Sequence, residues 1–281
     1  MKPTVAYQGE PGAFAEDAVL DFFVDPHPVA VPTWRAVFET VREGHADAGV
    51  VPIESSMAGT IRETLDLLAE FDLAIVGEAT VPVRLALLAA PGRTIDAIER
   101  VYSHPQALAQ ADAFLRTRQW QVMTAYNTAG AARLVAESGD AGAAAIASPR
   151  AADIYGLEVV AADVQTGDDN RTRFVVLARD VAPAGWRRTD LPPTSPRTTL
   201  VFAVRNVPGS LYSCLGAFAT RGVNLTRLES RPARTARWEY VFWVDVDGDP
   251  AEPVFAGALD DLRRRCEMVR VVGTYARAPD D

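Results

Sequence analysis

Apolar strand-like runs alternate with helical ones from the N-terminus to about residue 180, and a proline-rich stretch then stops the pattern. Val5 to Gln8 precedes Ala15 to Phe23, and Ala48 to Pro52 precedes Thr60 to Glu70. Arg100 to Ser103 precedes Pro105 to Leu115, and Ala143 to Ala147 precedes Pro149 to Ile154. Short apolar strands each followed by a helix predict an α/β unit, with parallel strands covered on both faces. Ligands in such units gather at the carboxyl ends of the strands. Pro183, Gly185, Pro192, Pro193, Ser195 and Pro196 show no apolar periodicity and read as a linker. Beyond it the order is strand (Thr198 to Val204), helix (Leu211 to Arg221), strands (Asn224 to Arg231 and Trp238 to Val246), helix (Ala251 to Arg264), strand (Met268 to Tyr275). This is the ferredoxin-like βαββαβ plan.

Composition narrows the functional classes. With 281 residues, 48% hydrophobic and 23% charged, the chain is of the soluble globular type and long enough for more than one core. A net charge of -9 and a pI near 5.0 oppose binding to nucleic acid or an anionic membrane. An anionic metabolite therefore needs a local pocket. The third strand of the C-terminal unit places Trp238, Tyr240, Phe242 and Val244 on one face and Glu239, Val241, Trp243 and Asp245 on the other. An RNA-recognition domain shares that topology, but the strand lacks its Gly-aromatic signature. Cys214 and Cys266 have no metal-ligand or redox spacing and read as small core residues, so no metal is expected. The chain reaches a strand by Thr4 with no preceding apolar segment, and no run is long enough to span a bilayer. A cytoplasmic location is expected.

Candidate chemistry lies in loops at strand ends. Asn170 to Phe174 reads Asn-Arg-Thr-Arg-Phe, so the Thr172 hydroxyl is flanked in sequence by Arg171 and Arg173. That pattern suits a doubly anionic small substrate with a leaving hydroxyl, the alternative being a surface strand with solvated arginines. Gln8 to Gly12 leads from a strand into a helix, whose free backbone donors suit a carboxylate; its glycine spacing is not a dinucleotide fingerprint. Pro52 to Gly59 carries Glu54, Ser55 and Ser56 ahead of Thr60, which with Glu63 reads as a capping box. Ser103 to Gln106 begins a helix with Gln110 one turn on, and the role of His104 there stays open. Asn127 and Thr128 start another helix that completes an anion pocket. His27 and His45 read as surface residues.

In their order along the chain, YQGEPGAF (Tyr7 to Phe14), GVVPIESSMAG (Gly49 to Gly59), YSHPQALAQ (Tyr102 to Gln110), TAGAA (Thr128 to Ala132), AIAS (Ala145 to Ser148) and NRTRFVVL (Asn170 to Leu177) resemble the prephenate dehydratases and the similar arogenate dehydratases. PGSLY (Pro208 to Tyr212) and ESRP (Glu229 to Pro232) resemble the phenylalanine-binding motifs of their ACT domain. The resemblance implies a catalytic domain over residues 1–180 with two lobes, like type II periplasmic binding proteins, closing on prephenate. It further implies a linker over 181–196 and an ACT domain over 197–281. No cofactor is needed, because loss of carbon dioxide and water from prephenate gains aromaticity. Thr172 would donate a hydrogen bond to the departing oxygen and Arg173, with helix N-termini, would hold carboxylates. By the same resemblance Glu54, Ser103, Gln110 and Ser55 line the site, with Phe174 packing under it. Leu211, Asn224, Leu225, Glu229 and Ser230, with the turn at Gly209, would frame the effector L-phenylalanine. A homodimer or homotetramer is implied, since ACT domains pair about a two-fold axis.

The chain departs from the family pattern at Ser55, usually asparagine, and Ala15, usually serine or threonine. These departures leave room for arogenate as substrate or for a specialised relative. A non-catalytic amino-acid sensor is the competing class.

Overall fold

The computed structural model describes residues 2–167, 169–180, 185–188, 194–233 and 240–279. Lobe 1 is built from β1 (Thr4–Gln8), α1 (Phe14–Phe22), β2 (His27–Val31), α2 (Trp34–Arg42), β3 (Ala48–Ser55), β4 (Gly59–Thr60), α3 (Arg62–Glu70) and β5 (Ala74–Pro82). Lobe 2 follows with β6 (Ala86–Ala89), β7 (Arg100–Ser103), α4 (Pro105–Gln110), α5 (Asp112–Leu115), β8 (Gln121–Thr124), α6 (Thr128–Ser138), β9 (Ala143–Ala147), α7 (Pro149–Tyr155) and β10 (Glu158–Ala161). The chain then crosses back as β11 (Arg171–Ala178), which inserts into the lobe 1 sheet between β3 and β5. Two crossings between lobes, after β5 and before β11, make the two-lobed plan that was expected.

In lobe 1 the sheet order is β2-β1-β3-β11-β5, with β1 parallel to β2 and β3 and with β11 antiparallel to both neighbours. Lobe 2 has the order β10-β6-β9-β7-β8. Its central strand, β9, is the all-alanine-and-isoleucine run Ala143–Ala147, fully buried because helices cover both faces.

The C-terminal domain contains β12 (Pro196–Ala203), α8 (Ser210–Ala219), β13 (Leu225–Pro232), β14 (Tyr240–Asp247), α9 (Pro253–Arg265) and β15 (Met268–Ala276). Its antiparallel sheet has the order β13-β14-β12-β15, as the βαββαβ reading requires. The period-two alternation on β14 holds. Phe242, Val244 and Val246 pack under α8 and α9, whereas Val241 and Trp243 join Ile75, Leu73 and Val175 in a core shared with lobe 1. β15 approaches β5 so closely that a Cβ at Gly273 would lie 2.0 Å from the Ile75 carbonyl oxygen, which explains glycine there.

Several sequence expectations need adjustment. Trp238, Glu239, Asp168, Pro183, Pro192 and Pro193 lie outside the described residues. Trp186 to Arg188, expected as linker, pack along the end of α1: the Trp186 ring lies 5.8 Å from Phe23, and Arg187 forms a β-bridge with Phe23. Pro196 already belongs to β12. Thr60 is not a helix cap, because it pairs with Glu54 in β4, and α3 starts after Ile61 with no side-chain cap. β2 has no clean strand signal because Pro28 lies within it and Pro26 and Pro32 flank it, whereas α2 contains no proline and carries Val37, Phe38 and Val41 at helical spacing.

Candidate active site

Between the lobes lies a cleft of about 490 Å³, toward which several helices turn their N-terminal ends. Ala13 and Phe14 of α1, Thr33 and Trp34 of α2, and Ile61 and Glu63 of α3 line it from lobe 1. Asn127 and Thr128 of α6, with His104 and Gln106 of α4, line it from lobe 2. α2 and α6 are capped: the Thr33 hydroxyl accepts from the Ala36 N–H at 3.0 Å, and the Asn127 Oδ1 accepts from the Gly130 N–H at 2.5 Å. α1 and α3 have no side-chain cap. Their first N–H groups are therefore available to a ligand, and the helix dipoles favour negative charge there. Among the described residues lining the cleft none is lysine or arginine. Affinity for an anion rests on helix ends.

β11 divides its residues between the two faces of the sheet. Thr172 and Phe174 line the cleft, and Thr172 stands opposite Ser55 of β3. Among the described residues the Thr172 hydroxyl has no hydrogen-bond partner and is left to a ligand. Arg173 points the other way, which corrects its expected place at the substrate. Successive side chains on a strand alternate in direction, so a threonine in the cleft sends both flanking arginines out of it. Arg171 Nε donates to Asp169 at 2.8 Å. Arg173, only 12% exposed, donates to Glu54 at 3.0 Å, to Glu78 at 3.2 Å and to Asp245 of the C-terminal domain at 2.7 Å. Glu54, opposite Arg173 in the ladder, leaves the cleft with it.

Two further expectations are corrected. Ser103 is fully buried and its hydroxyl donates to the Ile146 carbonyl at 2.5 Å, tying β7 to β9 beneath the cleft. Gln110 sits at the far end of α4 from the cleft, and its carbonyl accepts from the Thr166 N–H at 2.7 Å. Their neighbours in the same motif, His104 and Gln106, reach the cleft instead. His104 caps α4, its Nδ1 accepting from the Gln106 N–H at 3.2 Å, and burial lowers its pKa, so at neutral pH the ring is uncharged with its proton on Nε2. Ser55 and Ala15 both line the cleft. The Ser55 hydroxyl accepts from the Met57 and Ala58 N–H groups at 3.3 Å and so holds the turn that closes the cleft floor. Thr33, Trp34 and Tyr126 were missed as site residues. The signal for the first two was Thr33 ahead of Val37, Phe38 and Val41 at helical spacing.

The lobes also touch directly. Tyr126 donates to the Pro32 carbonyl at 3.0 Å, and Ser148 to the Gly12 carbonyl at 2.7 Å. Gly12, at φ +87, lets the backbone approach α7: a Cβ there would meet Ala151 at 3.1 Å.

In the C-terminal domain Gly209, at φ +83, opens α8 and lines a groove of about 550 Å³ with Arg205, Ser210, Arg265 and Cys266. Leu211, Asn224, Leu225, Glu229 and Ser230 do not line that groove within one chain. Leu211 and Leu225 pack on the domain core, and Asn224 donates to Asp247 at 3.0 Å. Glu229 instead faces α3 of lobe 1, 3.6 Å from Arg62, and Arg231 next to it donates to Asp66 at 2.7 Å.

Comparison with known proteins agrees with this geometry. The prephenate dehydratase family profile matches residues 5–182 and the ACT domain profile residues 198–264. The chain is 39% identical to a bifunctional chorismate mutase/prephenate dehydratase of Aquifex aeolicus, over 99% of this chain and 74% of that protein. It is 40% identical to arogenate dehydratase/prephenate dehydratase 2 of Arabidopsis thaliana, over 96% of this chain and 72% of that one. A prephenate dehydratase of Arthrobacter aurescens solved in complex with L-Phe superposes with a TM-score of 0.86 at 35% identity, covering 98% of this chain and 90% of that chain. GqqA, described as a novel type of quorum quenching acylase, superposes with a TM-score of 0.88 at 35% identity over 98% of each chain. The chain thus belongs to the prephenate dehydratase family and carries a C-terminal ACT domain.

Proposed function

We propose that the chain converts prephenate to phenylpyruvate, and that the observation carrying this reading is the unpartnered Thr172 hydroxyl in a cleft ringed by helix N-termini. The uncapped ends of α1 and α3 hold carboxylate. The C–C bond to the ring carboxylate breaks, carbon dioxide leaves, and the bonding pair enters the ring as the C–O bond to the ring hydroxyl breaks. The departing hydroxide takes a proton that comes from solvent and leaves as water, so that the prephenate dianion and one proton give the phenylpyruvate anion, carbon dioxide and water. Thr172 is a hydrogen-bond donor to that oxygen, since its hydroxyl is too weak an acid to surrender a full proton. Preorganised donors at a developing oxyanion are worth about a hundredfold or more in rate. Phe174 forms part of the cleft wall against the ring.

The catalytic unit is assigned to residues 1–180 and the regulatory ACT unit to 197–281, with β12 already beginning at Pro196 and Trp186 to Arg188 of the intervening segment held against α1. L-phenylalanine is the effector. Pairing of ACT domains in a homodimer, or a homotetramer built from it, is supported by β13 lying at a sheet edge and by the exposure of Leu228 (44%) on that strand and of Tyr212 (83%) on α8. The groove at Gly209 would then be completed by β13 of a second copy. Among the described residues no helix is long and apolar enough to cross a membrane, and a cytoplasmic location is inferred.

The test is phenylpyruvate formation by wild type and Thr172→Ala, with and without phenylalanine, and with arogenate as a parallel substrate. Turnover of prephenate that falls about a hundredfold or more in the variant supports the reading. Binding without turnover favours the amino-acid sensor, and turnover of arogenate alone favours the arogenate dehydratase. A simple N-acyl amide in the same series covers amide hydrolysis, which the likeness to GqqA raises.

A further inference from the structure

Arg173 connects the cleft to a charged cluster buried between lobe 1 and the ACT domain. Its Nη2 donates to Asp245 Oδ2 at 2.7 Å, and Asp245, on β14 of the ACT domain, is completely buried. The same carboxylate accepts from Arg227 Nε at 2.8 Å and Nη2 at 3.0 Å, and its other oxygen accepts from the Thr199 hydroxyl at 2.7 Å. Glu78 of β5 closes the cluster from the lobe 1 side, accepting from Arg173 Nη1 at 3.2 Å and from Arg197 Nη1 at 2.8 Å. The cation is therefore gripped by two carboxylates of its own lobe, Glu54 and Glu78, and by one of the neighbouring domain.

The cluster stands one residue from the chemistry. Arg173 and Thr172 are consecutive on β11, and their ladder partners Glu54 and Ser55 are consecutive on β3, each pair having one member in the cluster and one in the cleft. The ladder to β3 shifts register between Arg173 and Phe174, while the ladder to β5 runs unbroken through both residues, so the strand is regularly paired on one edge only at this point. A buried, multiply bonded guanidinium on the reverse face adds a side-chain anchor beside the irregular β3 edge, and with it steadies the direction in which the Thr172 hydroxyl points. Loosening the grip by a fraction of an ångström misaims that hydroxyl without removing any group that touches substrate.

We propose that Asp245 is a positioning residue for the dehydration reaction: it holds Arg173 from the ACT domain and thereby aligns Thr172 in the cleft. This deepens the dehydratase reading and rests on it. Asp245→Asn in the full-length protein is expected to lower kcat for prephenate at least tenfold while KM stays within about twofold. Asp66→Asn is the control, because it breaks another contact between the same two domains, Arg231 to Asp66, without touching β11. It is expected to leave kcat within about twofold of wild type. Arg173→Lys keeps the charge but loses the fork and should reproduce the fall in kcat at unchanged KM; it decides the matter if Asp245→Asn does not fold. Unchanged kcat in Asp245→Asn, an equal fall in Asp66→Asn, or a KM raised tenfold or more in Arg173→Lys, which would mean that Arg173 grips substrate itself, overturns the proposal. A wild type that turns over prephenate while Asp245→Asn is unimpaired sinks this inference alone. A wild type without turnover sinks the dehydratase reading and this inference with it.

Discussion

At Thr172 the decisive property is a hydroxyl with no partner of its own among the described residues, standing opposite Ser55 whose hydroxyl is already engaged with the Met57 and Ala58 N–H groups. Thr172→Ser keeps a donor at the same backbone position and is expected to retain activity within about tenfold of wild type, whereas Thr172→Ala loses about a hundredfold or more in kcat. Steady-state rates on prephenate separate the two. Sequence alone identified this threonine but misplaced its neighbours. The two guanidinium groups beside Thr172 read as a clamp for a dianion when taken as a linear string. On a strand they belong to the opposite face, and the period of two contained that information once the apolar run Val175 to Leu177 had been read as strand. Ser103 and Gln110 came from a motif match, which marks a segment without saying which of its side chains turn outward. In that segment His104 and Gln106 reach the cleft.

Among the elements, helix N-termini line the cleft and the expected arginine, Arg173, does not. α1, α2, α3 and α6 present N-terminal residues to one cleft because each follows a strand that ends there, so the topology itself gathers helix ends at the cleft. Asn127→Ala removes the acceptor for the Gly130 N–H and is expected to cost about 1 kcal/mol of stability and to raise KM for prephenate, as the end of α6 frays. Thermal unfolding and a KM measurement check both. Strand-helix alternation was legible where apolar runs were clean, as at Ala143–Ala147, and the βαββαβ order was legible throughout the C-terminal domain. β2 was hidden by prolines, and the capping-box reading at Thr60 failed because β-pairing with Glu54 took that residue into a strand. Tertiary pairing of this kind has no local signature.

For the whole molecule the central feature is the joint between lobe 1 and the ACT domain. Trp243, Val201, Val272 and Tyr275 share a core with lobe 1, and the Arg173–Asp245 contact lies within that joint. Burial alone would raise the pKa of Asp245, but the Arg227 and Arg173 guanidiniums outweigh it and hold the carboxyl below its ordinary value of 3.8. A carboxyl with a lowered folded-state pKa adds stability that is fully present above the unfolded value and is lost as pH falls through the folded one. Acidification from pH 5 to pH 3 should therefore weaken the wild type more than Asp245→Asn, which has no carboxylate to protonate there. Denaturant unfolding at each pH measures that difference. No pattern in the sequence announced the joint. Asp245 lay on a face assigned by alternation alone, and nothing local indicates that a sheet face will cover a second domain.

The most direct measurement is the rate of phenylpyruvate formation from prephenate by the full-length protein and by Thr172→Ala, both folded to the same extent. The geometry predicts robust turnover in the wild type and a loss of about a hundredfold or more in the variant, with KM little changed. Equal rates in the two proteins would contradict the assignment of Thr172 as donor to the leaving oxygen, and no phenylpyruvate from either would contradict the dehydratase reading itself.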